Sequence, residues 1–89
     1  MAAERLTVRV VSPERTVFEG LARAVVVPAW DGMLGILRGH APLVTLLGTG
    51  HVRVRDDNGQ SRIRVSGGVL AVRQDEVIIL SDHAEAVSG

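Results

Sequence analysis

The sequence contains no cysteine, no lysine and no tyrosine, and its aromatic residues apart from histidine are only Phe18 and Trp30. Without cysteine there is neither a disulfide framework nor a thiolate metal site. Without lysine there is no G-x-x-x-x-G-K-[ST] phosphate loop, and two aromatic side chains do not make a stacking platform for single-stranded nucleic acid. The fold must therefore depend on packing alone.

The sequence also has no excess of charge of either sign. Ten basic residues balance ten acidic residues, so the chain has no general attraction to nucleic acid or to anionic lipid. No apolar run approaches the ~18 residues of a membrane-spanning helix. Glu4 and Arg5 interrupt the amino terminus where a signal peptide would have its apolar region. We therefore expect an intracellular, soluble protein.

What is present is a series of short apolar segments separated by turn residues. Leu6, Val8 and Val10 alternate with polar residues, which is the period of a half-buried strand. Such segments recur at spacings of 8–12 residues or less, with no convincing helix, so the sequence predicts an all-β sandwich or barrel. Its 89 residues form one domain, with residues 84–89 as a loose tail. The predicted core comprises Val8, Val10, Val26, Val54, Ile63, Val65, Leu70, Val72 and Ile78.

The clearest hairpin is centred on Asn58-Gly59, a dipeptide typical of a type I′ turn. A second turn is expected at Asp75-Glu76. The first hairpin would place four arginines on one side, either as a solvated face or as a surface for an acidic partner. The predicted cross-strand pairs are Val54 with Ile63, Val52 with Val65, Arg55 with Arg62 and Arg53 with Arg64.

Nothing in the sequence indicates catalysis. His40, His51 and His83 have no metal-ligand spacing, and no G-x-S-x-G motif carries a nucleophile. The carboxylate pairs Asp56-Asp57 and Asp75-Glu76 are better explained as turn residues. We expect no metal, no cofactor and no enzymatic activity, which favours a binding or structural module.

The stretch DGMLGILRGHAPLVTLLGTG, residues 31–50, is too interrupted for a helix and too apolar for a solvated loop. Gly32, Gly35 and Gly39 are expected where a positive φ or a close main-chain approach would exclude a Cβ. Pro42 holds the preceding residue extended, so Gly39–Pro42 forms a fixed corner. The stretch is interpreted as a preorganised docking surface, with apolar area from Leu34, Leu37 and Leu43.

Three segments together resemble the ε subunit of the F-type ATP synthase. They are VVSPERTVFEG, the stretch 31–50 with its G-x-L-G-I-x-x-G-H-A-P-L-x-T pattern, and RIRVSGGVLAVRQDEVIILSD. The resemblance extends from about Leu6 to Glu85. It implies a flattened β-sandwich of two five-stranded sheets, about ten short strands in all.

The resemblance also implies a role and partners. Members of this family are non-catalytic rotor subunits of the central stalk, which bind the γ subunit and the c-ring and help to couple proton transport to ATP synthesis. They are peripheral proteins at the cytoplasmic face of the bacterial inner membrane. The positions that would face γ are Ser12, His40, Thr45 and Ser66. The positions that would face the c-ring are Asp31, Met33, Gly39 and His40.

The chain departs from the family pattern in two ways. Many members have an acidic residue where this chain has Met33, so either Asp31 supplies the charge or the contact is apolar. Members usually continue into a helical hairpin, whereas this sequence stops at Gly89, either as a naturally short member or as part of a longer one. Without that hairpin and without a phosphate loop, we expect neither ATP hydrolysis nor tight ATP binding. The apolar docking surface is expected to cause weak self-association of the isolated chain. An unrelated β-sandwich interaction module and a small β-barrel enzyme or carrier are the alternatives.

Overall fold

A computed structural model describes residues 5–87, and every regular element in that part of the chain is a β-strand. Short apolar segments bounded by turns thus form strands as the alternation predicts. The eight strands are β1 (Leu6–Val11), β2 (Thr16–Ala22), β3 (Ala24–Ala29), β4 (Gly32–Leu37), β5 (Leu43–Leu46), β6 (Thr49–Asp56), β7 (Gly59–Arg73) and β8 (Glu76–Val87).

Seven strands follow the order β2-β1-β8-β7-β6-β3-β4, and β5 pairs with β7 beside this path. All pairs are antiparallel except β1 with β8. Strand β7 pairs with β6 through residues 59–66 and with β5 through residues 69–72, so one strand serves two neighbours in succession. The structure has eight strands where about ten short ones were expected, and one reason is that the segments on either side of Gly67-Gly68 join into one long strand.

The carboxyl-terminal prediction is also wrong for the residues that the structure describes. Residues 84–87 are not a loose tail but continue β8, where Ala84 pairs with Val65 and Ala86 with Ile63. Residues 88 and 89 lie outside the described part of the chain.

Strand β7 passes from one set of neighbours to the next at Gly67-Gly68. Gly68 has φ +123°, and a Cβ placed there would lie 1.9 Å from the Leu80 carbonyl oxygen. The adjacent Ser81 is buried, and its hydroxyl lies 3.2 Å from Ser66 N and 3.0 Å from Gly67 O. The bend thus needs glycine, and the Ser81 hydroxyl stabilises its main chain.

The core lies between the inward-facing sides of the strands. Seven of the nine predicted core residues are buried, whereas Val26 and Ile78 are only half-buried. Their neighbours Val25, Val27, Val77 and Ile79 are buried instead. Each error is a shift of one residue, which moves a side chain to the opposite face of a strand.

The β6–β7 hairpin differs from its prediction by two residues of register. The loop is Asp57-Asn58, and Asp56 pairs with Gly59. The Asp56 carboxylate accepts the Asn58 N–H at 2.8 Å, so the chain already turns before Asn58. The observed pairs are Val52 with Ile63, Arg53 with Arg62, His51 with Arg64, Val54 with Ser61 and Arg55 with Gln60.

The β7–β8 turn lies one residue earlier than predicted, at Gln74-Asp75. Both residues have positive φ, +50° and +63°, as a two-residue type I′ turn requires. The Asp75 carbonyl also accepts the Thr7 N–H at 2.9 Å. This turn therefore anchors the beginning of β1.

Within residues 5–87, no helix is long and apolar enough to cross a membrane. The same residues contain no group of three or more His, Cys, Asp or Glu side chains placed to hold a metal ion.

Candidate docking surfaces

The corner that follows β4 is held by a contact from a distant turn. Gly39 has φ +84°, a conformation that favours glycine. Its N–H donates to Asp75 Oδ1 at 2.6 Å, and the His40 N–H donates to the Leu37 carbonyl at 3.1 Å. The corner expected from Gly39 and Pro42 is thus fixed by hydrogen bonds from the main-chain N–H groups of Gly39 and His40.

The His40 side chain is half-buried in this corner. Its Nδ1 lies 2.7 Å from the Ala41 carbonyl oxygen. Because a carbonyl oxygen only accepts, Nδ1 must carry a proton, and Nε2 is the ring nitrogen left for another group. Within residues 5–87, His40 Nε2 makes no hydrogen bond. His40 is therefore oriented by its own corner and presents one polar atom outward.

Three of the predicted partner-facing residues line one shallow groove of about 300 Å³. Asp31 and Met33 come from the β3–β4 turn and the start of β4, and Thr45 comes from β5. Met33 is 59% exposed, whereas Thr45 is half-buried. The structure thus joins one predicted γ-facing residue to two predicted c-ring-facing residues.

Ser12 occupies a different place and has a structural role. It is buried after β1, and its hydroxyl donates to the Arg15 carbonyl at 3.3 Å. Its N–H donates to the same carbonyl at 2.9 Å. Ser12 therefore closes the turn between β1 and β2, and little of it is open to a partner.

Ser66 lies near the bend of β7 and is half-buried. Its hydroxyl lies 3.4 Å from Thr49 Oγ1. It lines a polar recess of about 290 Å³ with Glu14, Arg64, His83 and Glu85. This recess contains both acidic and basic side chains, so it has no strong preference for a ligand of one charge.

The predicted c-ring set is divided between the two ends of β4. Asp31 precedes the strand, and Gly39 and His40 follow it. A six-residue strand separates the two ends by about 20 Å. A partner that contacts the whole set must therefore cover the length of β4, where Leu37 is 63% exposed. Leu34 and Leu43, expected at the docking surface, pack partly against the core and also line the groove with Asp31 and Met33.

An extended apolar surface on one side of the sheet was not predicted from the sequence. Side chains of β1, β8, β7 and β5 that point away from the core form two neighbouring cross-strand rows, which we call the outer apolar face. Among its members, Val44 is 75% exposed and Leu46 is 60% exposed. The first row is Val11, Leu80, Val69 and Leu46, and the second is Ile78, Ala71 and Val44.

This surface could have been found in the segments VIIL and VLAV, where residues of both parities are apolar. A strand with one face in water is expected to alternate apolar and polar residues. Continuous apolar sequence indicates that both faces are covered. In β8 the inward face is covered by the core, whereas on the outward face Leu80 is 50% exposed and Ile78 is half-buried.

The arginine face lies on β6 and β7. Arg53, Arg55 and Arg64 are exposed and Arg62 is half-buried. One arginine pair is directly opposed, Arg53 with Arg62, where two were predicted. Like charges directly opposite are destabilising, although solvent and salt screen them at an exposed position.

Asp57 links three parts of the chain at one end of the molecule. Its carboxylate accepts hydrogen bonds from Arg23, which precedes β3, and from Arg5, which precedes β1. The hydrogen bond from Arg23 and the positive charges of both arginines hold the pKa of Asp57 below its ordinary value of 3.8. All three side chains are at least partly exposed, so this clamp is a surface feature of modest strength.

The chain is similar to proteins of a known family. The family model described as the ATP synthase delta/epsilon chain, beta-sandwich domain, matches residues 5–87. The chain therefore belongs to the family of ATP synthase delta/epsilon chain β-sandwich domains.

Relatives named ATP synthase epsilon chain are similar over most of this chain. The protein from Trichodesmium erythraeum is 48% identical over 80 residues, which cover 90% of this chain and 58% of the relative. That from Nostoc punctiforme is 50% identical over 82 residues, covering 90% and 60%. That from Prochlorococcus marinus is 43% identical over 83 residues, covering 93% and 62%. The chain thus spans about three fifths of the length of these curated relatives.

Two solved structures share the fold. A chain in the cryo-EM structure of the Euglena gracilis mitochondrial ATP synthase, comprising OSCP, F1 and c-ring, has a TM-score of 0.85 at 21% identity. It is matched over 93% of this chain and 54% of its own length. A chain in the Tetrahymena thermophila mitochondrial ATP synthase central stalk and c-ring structure has a TM-score of 0.71 at 16% identity, covering 89% and 64%.

Proposed function

We propose that this chain is the β-sandwich part of a non-catalytic rotor subunit of an F-type ATP synthase. In this role it binds the γ subunit and the c-ring and helps to couple proton transport to ATP synthesis. The observation that carries the proposal is the family match over residues 5–87. The relatives are named as epsilon chains, and one structural neighbour comes from a central stalk with its c-ring.

The outer apolar face is the proposed surface for γ. A large apolar patch on an isolated domain is a typical protein-interaction surface, because its exposure to water is unfavourable. Val44 and Leu46 provide its most exposed side chains. Thr45 lies between these two residues in β5, and its side chain points to the opposite face of the strand. A partner that extends around the edge of β5 would contact both faces.

The corner at Gly39-His40 is the proposed polar anchor. Nε2 of His40 supplies one directional contact, and the hydrogen bond from Gly39 to Asp75 keeps the corner in place. A preorganised corner loses little conformational entropy on binding. This property suits a subunit that must remain attached during rotation. Ser66 is a further proposed γ-facing residue, whereas Ser12 contributes by closing the turn after β1.

The side of the groove formed by Asp31 and Met33 is the proposed contact with the c-ring, together with Gly39 and His40. Asp31 supplies a carboxylate within two positions of Met33, so the charged contact of other members is replaced from a neighbouring position. The domain is proposed to be a flattened two-layered sandwich in which a long strand contributes to both layers. Support comes from β7, which pairs with β6 along one half and with β5 along the other.

The proposed location is peripheral, on the cytoplasmic face of the membrane that holds the c-ring. For a bacterial source this is the inner membrane, and for a source like the cyanobacterial relatives it is the plasma or thylakoid membrane.

The proposal is tested by reconstitution. The chain is mixed with a purified γ subunit, with a c-ring in detergent, and with both, and complexes are identified by native mass spectrometry. We expect a one-to-one complex with γ and its addition to a γ–c-ring assembly. Failure to bind either component would refute the proposed rotor role.

A further inference from the structure

Strand β4 lies at the end of the sheet path, and the described part of the chain places no strand beyond it. Its sequence, GMLGIL, contains no charge and no proline, and its pairing with β3 proceeds without a register shift. Charged residues, proline and bulges are the features that normally protect an edge strand from pairing with another chain. This edge lacks all three.

The hydrogen bonds of β3 show which main-chain groups of β4 face outward. The Pro28 carbonyl accepts the Gly48 N–H at 2.8 Å, so the main chain of Pro28 points away from β4. Met33 is directly opposite Pro28, and in an antiparallel pair opposed residues both point toward or both point away from each other. The N–H and C=O groups of Met33, and by alternation those of Gly35, therefore point outward from the edge.

The charges that flank the strand favour one orientation of a partner strand. Asp31 lies just before β4 and Arg38 just after it, and both are exposed. Antiparallel pairing with an identical strand, centred on Gly35, places Met33 opposite Leu37 of the second copy. It also brings Asp31 within one position of Arg38 of the second copy, at both ends. A parallel arrangement would instead align like charges.

We propose that the edge of β4 binds the edge of β4 in a second copy of this chain, forming a symmetric antiparallel dimer. The net charge of zero removes long-range repulsion between copies. Met33 and Leu37, 59% and 63% exposed, supply apolar cross-strand contacts beside the main-chain hydrogen bonds. This inference concerns the isolated chain and does not depend on the proposed role in the rotor.

The edge is tested with a matched pair of substitutions at Gly35. A Cβ at Gly35 meets no atom within 4 Å, so Gly35→Ala and Gly35→Lys both leave room for the fold. Sedimentation velocity is measured up to about 1 mM, so that even millimolar affinity is detected. We expect the natural chain and Gly35→Ala to dimerise and Gly35→Lys to remain monomeric. Val44→Lys, which places the same charge on the outer apolar face, should still dimerise.

The orientation is tested with a charge exchange, which also serves if Gly35→Lys fails to fold. Arg38→Glu should weaken the dimer roughly tenfold, because it creates two like-charge contacts. The double exchange Asp31→Arg with Arg38→Glu should restore it. The proposal would be overturned if the natural chain stays monomeric or if Gly35→Lys dimerises like Gly35→Ala. It would also be overturned if Val44→Lys is the only variant of the three that is monomeric. An Arg38→Glu effect that the double exchange does not reverse would overturn the antiparallel arrangement.

Discussion

Asp75 Oδ1 accepts a hydrogen bond from the Gly39 main-chain N–H at 2.6 Å, across 36 positions of the sequence. Asp75 has φ +63°, so the side chain that holds the corner comes from a residue in a conformation that is unfavourable for most amino acids. The same residue binds Thr7 through its carbonyl. One turn therefore connects the candidate docking corner to the beginning of the sheet.

Asp75→Gly should free the corner without unfolding the chain. Glycine relieves a main-chain cost of about 1 kcal/mol in the left-handed region, which offsets the loss of a hydrogen bond of similar size. Asp75→Asn is the matched control, because its amide oxygen still accepts from Gly39. Hydrogen exchange of the Gly39 amide should become fast in Asp75→Gly and stay slow in Asp75→Asn. Equal protection in all three chains would show that the contact does not hold the corner.

The same substitution should have a large effect on stability at Gly68 and a small one at Gly35. Gly68→Ala places a Cβ 1.9 Å from the Leu80 carbonyl oxygen, whereas Gly35→Ala meets nothing within 4 Å. We expect Gly68→Ala to lower the free energy of unfolding by more than about 2 kcal/mol, and Gly35→Ala to change it by less than ~1 kcal/mol. Urea unfolding of both variants measures the difference. Similar values for the two would contradict the tight crossing of β7 and β8.

Acid should weaken the Asp57 clamp. The pKa of Asp57 is depressed in the folded chain by Arg23 and Arg5, so its contribution to stability is present above its ordinary pKa of 3.8. That contribution is lost as the pH falls through the lower pKa of the folded state. Asp57→Asn should therefore be less stable than the natural chain at pH 7, with the difference disappearing in acid below the folded pKa. A difference that is independent of pH would show that the charge of Asp57 does not contribute.

Replacing Arg53, Arg55, Arg62 and Arg64 together by glutamine should leave the fold intact. The exposed members of this face are solvated, and Arg53 directly opposes Arg62. Thermal unfolding and affinity for γ are both measured, and we expect neither to fall. A loss of γ affinity with the fold retained would instead assign the arginine face to an acidic surface of the rotor.

Much of the fold follows from local sequence pattern, because alternation and turn residues specify strands without reference to the rest of the chain. The register of the β6–β7 hairpin was not predictable from Asn58-Gly59 alone, since the Asp56 side chain starts the turn one position earlier. The number of strands was overestimated in part because β7 bends at Gly67-Gly68 but continues beyond it as one strand. Both errors come from side-chain and main-chain contacts that periodicity does not describe.

The candidate site was predicted less completely than the fold. The corner at Gly39-His40 was anticipated from its glycine and Pro42, but the contact from Asp75 is a tertiary feature without a local signal. The outer apolar face was missed because Ile78 and Leu80 sit in a fully apolar segment. In such a segment the sequence does not distinguish the side chains that face the core from those that face outward.

The outer apolar face and the His40 corner are the surfaces through which we propose that this chain binds γ. Calorimetry with a purified γ subunit tests this proposal most directly, using the natural chain, His40→Ala and the double variant Val44→Ser with Leu46→Ser. Val44 and Leu46 are exposed, so the double variant should keep its thermal stability. The account predicts measurable binding by the natural chain and at least roughly tenfold weaker binding by each variant, as expected for loss of about 1.4 kcal/mol of contact. Undiminished binding by both folded variants would contradict it.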